Sequence, residues 1–192
     1  MKTLIKSLLL LTVMPAMVQS SLLAKDKVIT PLQQKQIDKC IKEVSAWAAN
    51  PVLIKALQEQ NAKGPVPGLT NDVWKGKLRT SDEIKAYQSN PAGAFLSSSL
   101  AASGGLYGEA FLSAAQGEKV AFVQKTTSYI HKGKEKFDAA FDSGKPWQGK
   151  PEFDESSQNY LVQISVPVLD KSKAIGVLTV GIDCSVLDKL SK

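Results

Sequence analysis

The chain has 192 residues, a formal net charge of +6 and 43% apolar residues. That length supports one well-buried core and is too short for two comfortable domains. The cationic excess is small and dispersed, which argues against the dense basic footprint of a nucleic-acid binder.

Lys2 and Lys6 precede an apolar run from Leu8 to Val18 and small residues at Ser20 and Ser21, with no acidic residue before Asp26. A charged start, an apolar stretch of secretory length and a small-residue zone predict a signal peptide over residues 1–20, cleaved near 20–24. Pro15 interrupts the run, which is short for a membrane span; an uncleaved anchor is the alternative. Loss of Lys2 and Lys6 takes the charge from +6 to +4, and residues 25–192 are left as a single domain. Cys40 and Cys184 are the two cysteines. In an oxidising exported setting they could pair and tie the first helix to the end of the last strand, the alternative being two free thiols.

Thr30-Pro31, Asn50-Pro51 and Asn90-Pro91 each set a capping side chain before a proline at the first helical position, so they predict helices over about 31–49, 51–61 and 91–101. In the first, Ile37, Ile41, Val44 and Ala48 fall at helical spacing. Between the second and third, the run Lys63-Gly64-Pro65-Val66-Pro67-Gly68 is a break, and Thr80 with Glu83 reads as a capping box for a short helix to Ser89. After Gly104-Gly105 the period changes to alternation. Leu106 to Ala114 and Lys119 to Lys125 read as a hairpin turning at Gln116-Gly117, followed by a short helix over 133–142 and a strand near 146–153. Residues 159–170 and 174–183 form a second hairpin across the polar turn 171–173. There Tyr160, Val162, Ile164, Val166 and Val168 share one face with Ala174, Gly176, Leu178, Val180 and Ile182 across the turn, and Gln163, Ser165, Thr179 and Asp183 fall on the other. An apolar face of this kind usually packs helices.

The segments WAANPVLIKALQEQNAKG, YGEAFLSAAQGEKVAFVQKTTSY, WQGKPEFDESSQNYLVQISVPVLD and IGVLTVGID, in that order, resemble the extracytoplasmic Cache (PDC) sensor domains, relatives of the PAS fold. The resemblance covers most of residues 40–184. It implies an α+β fold in which long N-terminal helices pack on one face of a five-stranded antiparallel sheet, with a small-molecule pocket on the other. Many relatives sit between two transmembrane helices of a receptor. Here no second span or output domain is seen, so the expectation is a stand-alone periplasmic or secreted module.

The mixed sheet face is then the candidate pocket floor, with Gln163, Ser165, Thr179 and Asp183 from the second hairpin and Glu109 from the first. On the first strand, Tyr107, Glu109, Phe111 and Ser113 are expected to share that face. Polar groups on three strands are costly to bury without partners, which a ligand can supply; a hydrated face is the bland alternative. Lys125, Thr127 and Tyr129 leave the second strand toward the crossover, where the resemblance places a pocket wall, and Trp74 and Trp147 are candidate aromatic walls with core filling as their other reading. The expected ligand is an organic acid or amino acid, its carboxylate near Lys125 and any amine near Glu109 or Asp183. Asp183 reads equally well as a cap for a terminal helix over 185–190. The basic stretch Lys125, His131, Lys132, Lys134 and Lys136 reads as solvated surface, and the acidic run Glu152 to Glu155 likewise. No serine-nucleophile motif, metal-ligand cluster or phosphate-binding loop is present, so neither an enzyme nor a cofactor is expected. Small-molecule sensing, with a membrane sensor or receptor protein as the partner, is the leading function; an anchored sensor domain and a structural protein without ligand are the alternatives.

Overall fold

The structure, a computed structural model, describes residues 28–155 and 157–192; the predicted signal peptide lies outside the described residues. Helices α1 (Pro31–Ala48), α2 (Pro51–Lys63), α3 (Asn71–Gly76), α4 (Asp82–Ser89) and α5 (Pro91–Ala102) precede strands β1 (Tyr107–Ala114) and β2 (Lys119–Phe122). Helix α6 (Glu135–Ser143) crosses to β3 (Trp147–Asp154), β4 (Asn159–Asp170), β5 (Lys173–Asp183) and a terminal α7 (Cys184–Leu190). The five strands form one antiparallel sheet in the order β2-β1-β5-β4-β3.

The three proline-marked helix starts form as expected. Thr30 and Gln33 complete a capping box, and the Asn50 and Asn90 side chains accept from the Val52 and Gly93 amides. Helix α4 differs. Its cap is Ser81 rather than Thr80, and the Ser81 hydroxyl donates to the Leu78 carbonyl at 2.9 Å instead of capping, while Glu83 pairs with Lys77 at 2.5 Å. Helix α3, with only six residues, was too short to show a helical period. The returning strand β2 stops at Phe122, since the following residues leave the sheet for the crossover.

Alternation places Val162, Ile164, Val166 and Val168 of β4 with Leu178, Val180 and Ile182 of β5 in one buried cluster, against Ile37 and Val44 of α1, Leu53 and Leu57 of α2 and Leu96 of α5. This is the helix-covered face predicted from the hairpin. Tyr107 corrects the expected face of β1. A bulge between Tyr107 and Glu109 inserts one residue and flips the side chain to the helix side, where its hydroxyl donates to Glu43 at 2.7 Å and its ring meets Trp47 edge-on. Gly176 has no room for a side chain: a Cβ there would stand 2.5 Å from Leu57. Of the two alternatives for Cys40 and Cys184, the structure has no disulfide between them. Both are buried, and Cys40 is engaged by Tyr107, with burial pushing its thiol pKa up and away from the reactive thiolate. Among the described residues, no helix is long and apolar enough to cross a membrane.

Candidate ligand cleft

The opposite face of the sheet carries Glu109, Phe111 and Ser113 of β1, Lys119 of β2, Gln163 and Ser165 of β4 and Thr179 of β5. Its cover is built in two blocks. One is aromatic: Trp74 of α3, Tyr87 of α4 and Tyr129 pack with Phe111 and Phe122. The other is α6, whose Phe137 and Ala140 rest on Val177 with Trp147 beside them. The segment linking the blocks is pinned from α3. Asn71 Oδ1 accepts from the Tyr129 and Ile130 amides at 2.9 and 2.8 Å, and the Trp74 indole donates to the Thr126 carbonyl at 2.7 Å.

Where α6 meets β3 and β4 a cleft of about 610 Å³ opens, lined by Thr127, Lys136, Trp147, Asp154, Gln163 and neighbouring residues of β3. That volume suits a small organic molecule. Gly149 lets the Trp147 ring lie close over the strand, since a Cβ would meet its Cη2 at 2.8 Å. At the inner wall Gln163 is held by two charged groups. Its Oε1 accepts from Lys136 Nζ at 2.6 Å, and its amide donates to Glu109 Oε2 at 2.9 Å. Glu109 is buried, and desolvation together with the nearby Asp154 raises its pKa, while Lys136 and Lys119 pull it back down. The wall thus offers an ammonium, a primary amide and a carboxyl side by side, with Asp154 close to the carboxyl. These groups can bind both ends of a zwitterion. No nucleophile of this set stands beside a base.

The residues expected at the site divide. Thr127, Trp147 and Gln163 line the cleft, and Glu109 lies directly behind Gln163. Trp74 and Tyr129 are fully buried in the aromatic block, where the Tyr129 hydroxyl accepts from the Val66 amide at 3.2 Å. Lys125 belongs with them rather than with a carboxylate: its Nζ lies 5.1 Å from the Trp74 ring, and burial with the neighbouring Arg79 lowers its pKa. Ser165 and Thr179 are buried on facing strands and share a hydrogen bond of 2.9 Å. Asp183 is a helix cap, its Oδ1 accepting from the Ser185 and Val186 amides and from the Ser185 hydroxyl. Replacing Asp183 with Ala should therefore cost about 1 kcal/mol of stability and leave ligand response intact; a variant with wild-type melting and no response would place Asp183 at the ligand instead.

Sequence reasoning missed Lys119 and Lys136, and it placed His131 on the surface. His131 is 3% exposed, its ring tilted against Phe111 at 4.7 Å, and its backbone amide donates a hydrogen bond to the Gly117 carbonyl under the β1–β2 turn. Lys119 is fully buried on the pocket face. Lys119 falls opposite Ser113 in the strand register, after a shift between Leu112 and Ser113.

No protein-family model and no curated sequence matches the chain. Solved structures do. The sensor domain of the V. cholerae histidine kinase DctB aligns at 13% identity and a TM-score of 0.50, over 83% of this chain and 53% of that one, so the chain spans about half its length. The sensory domain of the Campylobacter jejuni chemoreceptor Tlp3 with isoleucine bound aligns at 17% identity and a TM-score of 0.45, over 85% of this chain and 68% of that one. The ligand-binding domain of the Pseudomonas aeruginosa PAO1 amino acid chemoreceptor PctC, in complex with GABA, gives 14% identity and a TM-score of 0.40, covering 78% and 67%. The fold argument rests on the first of these, together with the strand order and the helix-covered face: the chain has the fold of the Cache (PDC) sensor domains.

Proposed function

We propose that this chain is an extracytoplasmic sensor module that binds a small organic acid or amino acid in the cleft between α6, β3 and β4, and reports or delivers it to a membrane sensor or receptor protein. The observation that carries this reading is the Lys136–Gln163–Glu109 chain at the cleft wall, where an ammonium and a buried carboxyl are bridged by one amide. Such a wall can take a carboxylate on one side and an amine on the other, and it supplies no bond-breaking group. The sensor-domain fold and the export signature read from the N-terminus support the same conclusion. The reading is of a binding module and not of an enzyme.

A thermal-shift screen of the standard L-amino acids and short-chain mono- and dicarboxylates should return at least one ligand that raises the melting temperature. For that ligand, Lys136→Met and Gln163→Ala should each weaken binding about tenfold to a hundredfold, the worth of a hydrogen bond to a charged group. A screen in which no member shifts the protein, or a ligand indifferent to both substitutions, removes the reading.

A further inference from the structure

At the opposite edge of the sheet from the cleft, a groove of about 410 Å³ lies between α2, the α4–α5 junction and β2. Val52 and Ala56 of α2, Pro91 and Ala92 of α5 and Val120 of β2 give it apolar walls, and Gln60 and Tyr87 add polar groups. Behind Gln60 stands Glu118, which is fully buried. Its Oε2 has no hydrogen-bond partner, and among the described residues no lysine or arginine pairs with the carboxylate. Its Oε1 is served only by Gln60 Nε2, at 3.3 Å, and that nitrogen also donates to the Gly64 carbonyl at 2.6 Å. Gln60 Oε1 is left as an unused acceptor in the lining. The other polar groups of the lining are committed. Asn90 donates to the Val120 carbonyl at 2.9 Å and accepts from the Gly93 amide at 2.8 Å, and Lys55 is paired with Glu59 at the rim. A buried carboxylate without a counter-charge is costly to keep. Acceptors without a cation, beside an apolar groove of ligand size, suit one chemistry: an ammonium on an aliphatic tail.

We propose that this groove is a second binding site, which takes a small aliphatic primary amine. The tail lies along Val52, Ala56 and Val120, and the ammonium enters beside Gln60, where its three N–H groups donate to Glu118 Oε2, Gln60 Oε1 and the Tyr87 hydroxyl. The Gln60 side chain turns aside to admit it. That gives up the long 3.3 Å bond to Glu118, and the ammonium replaces it with a charged one. An alcohol of the same length brings no charge to Glu118, and a carboxylate is repelled by it. Lys63 at the rim is exposed, so solvent screens its charge, whereas Glu118 is shielded from solvent. The groove shares no lining residue with the cleft between α6, β3 and β4, and the inference stands apart from the sensor reading of that cleft.

Titration with n-hexylammonium chloride, followed by methyl NMR, should move the Val52 and Val120 resonances saturably. At equal ionic strength, 1-hexanol and sodium hexanoate should bind at least about tenfold more weakly, the worth of one charged hydrogen bond. The Trp147 indole resonance reports on the cleft and should stay in place. Glu118→Gln keeps the shape and removes the charge, so its affinity for the amine should fall about tenfold or more. Ala56→Phe fills the groove, leaves the carboxylate intact and should abolish the response; it decides the matter if Glu118→Gln does not fold. No saturable shift in the wild-type protein overturns the proposal. So does a response unchanged in either variant, or one that 1-hexanol matches. Shifts at Trp147 without shifts at Val52 and Val120 would put the amine in the cleft, which overturns the groove site and leaves the sensor reading standing.

Discussion

Replacing Trp74 with Ala should destabilise the fold by about 3–5 kcal/mol, the usual cost of emptying a buried tryptophan site. The side chain is fully buried and meets Tyr87, Phe122 and Tyr129 with ring centroids 5.6, 5.8 and 5.4 Å away. Truncation removes that packing, deprives the Thr126 carbonyl of its indole donor and takes away the ring beneath Lys125. In a domain of this size the loss corresponds to a fall in melting temperature of about 10 °C. Denaturant unfolding of the variant checks it. The same substitution tests function, since Trp74 anchors the segment that roofs the pocket face. The expected pattern is lower stability together with weaker binding. A variant that keeps its stability and loses only ligand response would make Trp74 a pocket wall, as the sequence alone allowed.

That ambiguity shows what could be read from the amino-acid order. Local signals were plain: the Thr30, Asn50 and Asn90 caps each precede a proline, and the 159–183 hairpin keeps strict alternation, so helix starts and the buried sheet face followed directly. Features that depend on one inserted residue or on distant packing were hidden. Tyr107 changes faces through a bulge that leaves no compositional trace. His131 looks like a member of a basic surface stretch and Lys119 like the first residue of a returning strand, and only the β1–β2 register and the turn at Gly117 bring them inside. A Cβ at Gly117 would stand 2.1 Å from the Lys132 amide, and the residue has a φ of 85°, so the glycine is what allows the crossover to close this tightly over Lys119. Of the candidate pocket, Thr127, Trp147 and Gln163 reach the cleft. Tyr129 and Trp74 do not, because aromatic residues suit a core as well as a ligand wall.

Lys119→Met should raise stability, by about 1–4 kcal/mol if it behaves as other buried charges exchanged for apolar residues of like volume do. In the folded protein, burial drives the pKa of Lys119 well below 10.5, so below pH 10.5 the unfolded chain holds that proton more tightly than the folded one. The penalty is thus present at neutral pH and fades as pH rises toward 10.5. His131 has the same sign: its pKa lies well below 6.5 through burial and the surrounding lysines, so stability falls as pH drops through 6.5 and the unfolded imidazole takes up a proton. Glu109 acts in the opposite direction, its raised pKa costing stability as pH rises above 4.5. Chemical denaturation of wild type, Lys119→Met and His131→Asn between pH 5 and 9 separates these contributions. The methionine variant should be the more stable at neutral pH, and the asparagine variant should lose the fall in stability around pH 6.5. If Lys119→Met is instead destabilised, the ammonium is compensated within the fold, by Glu109 and by the Phe111 ring 3.1 Å from its Nζ.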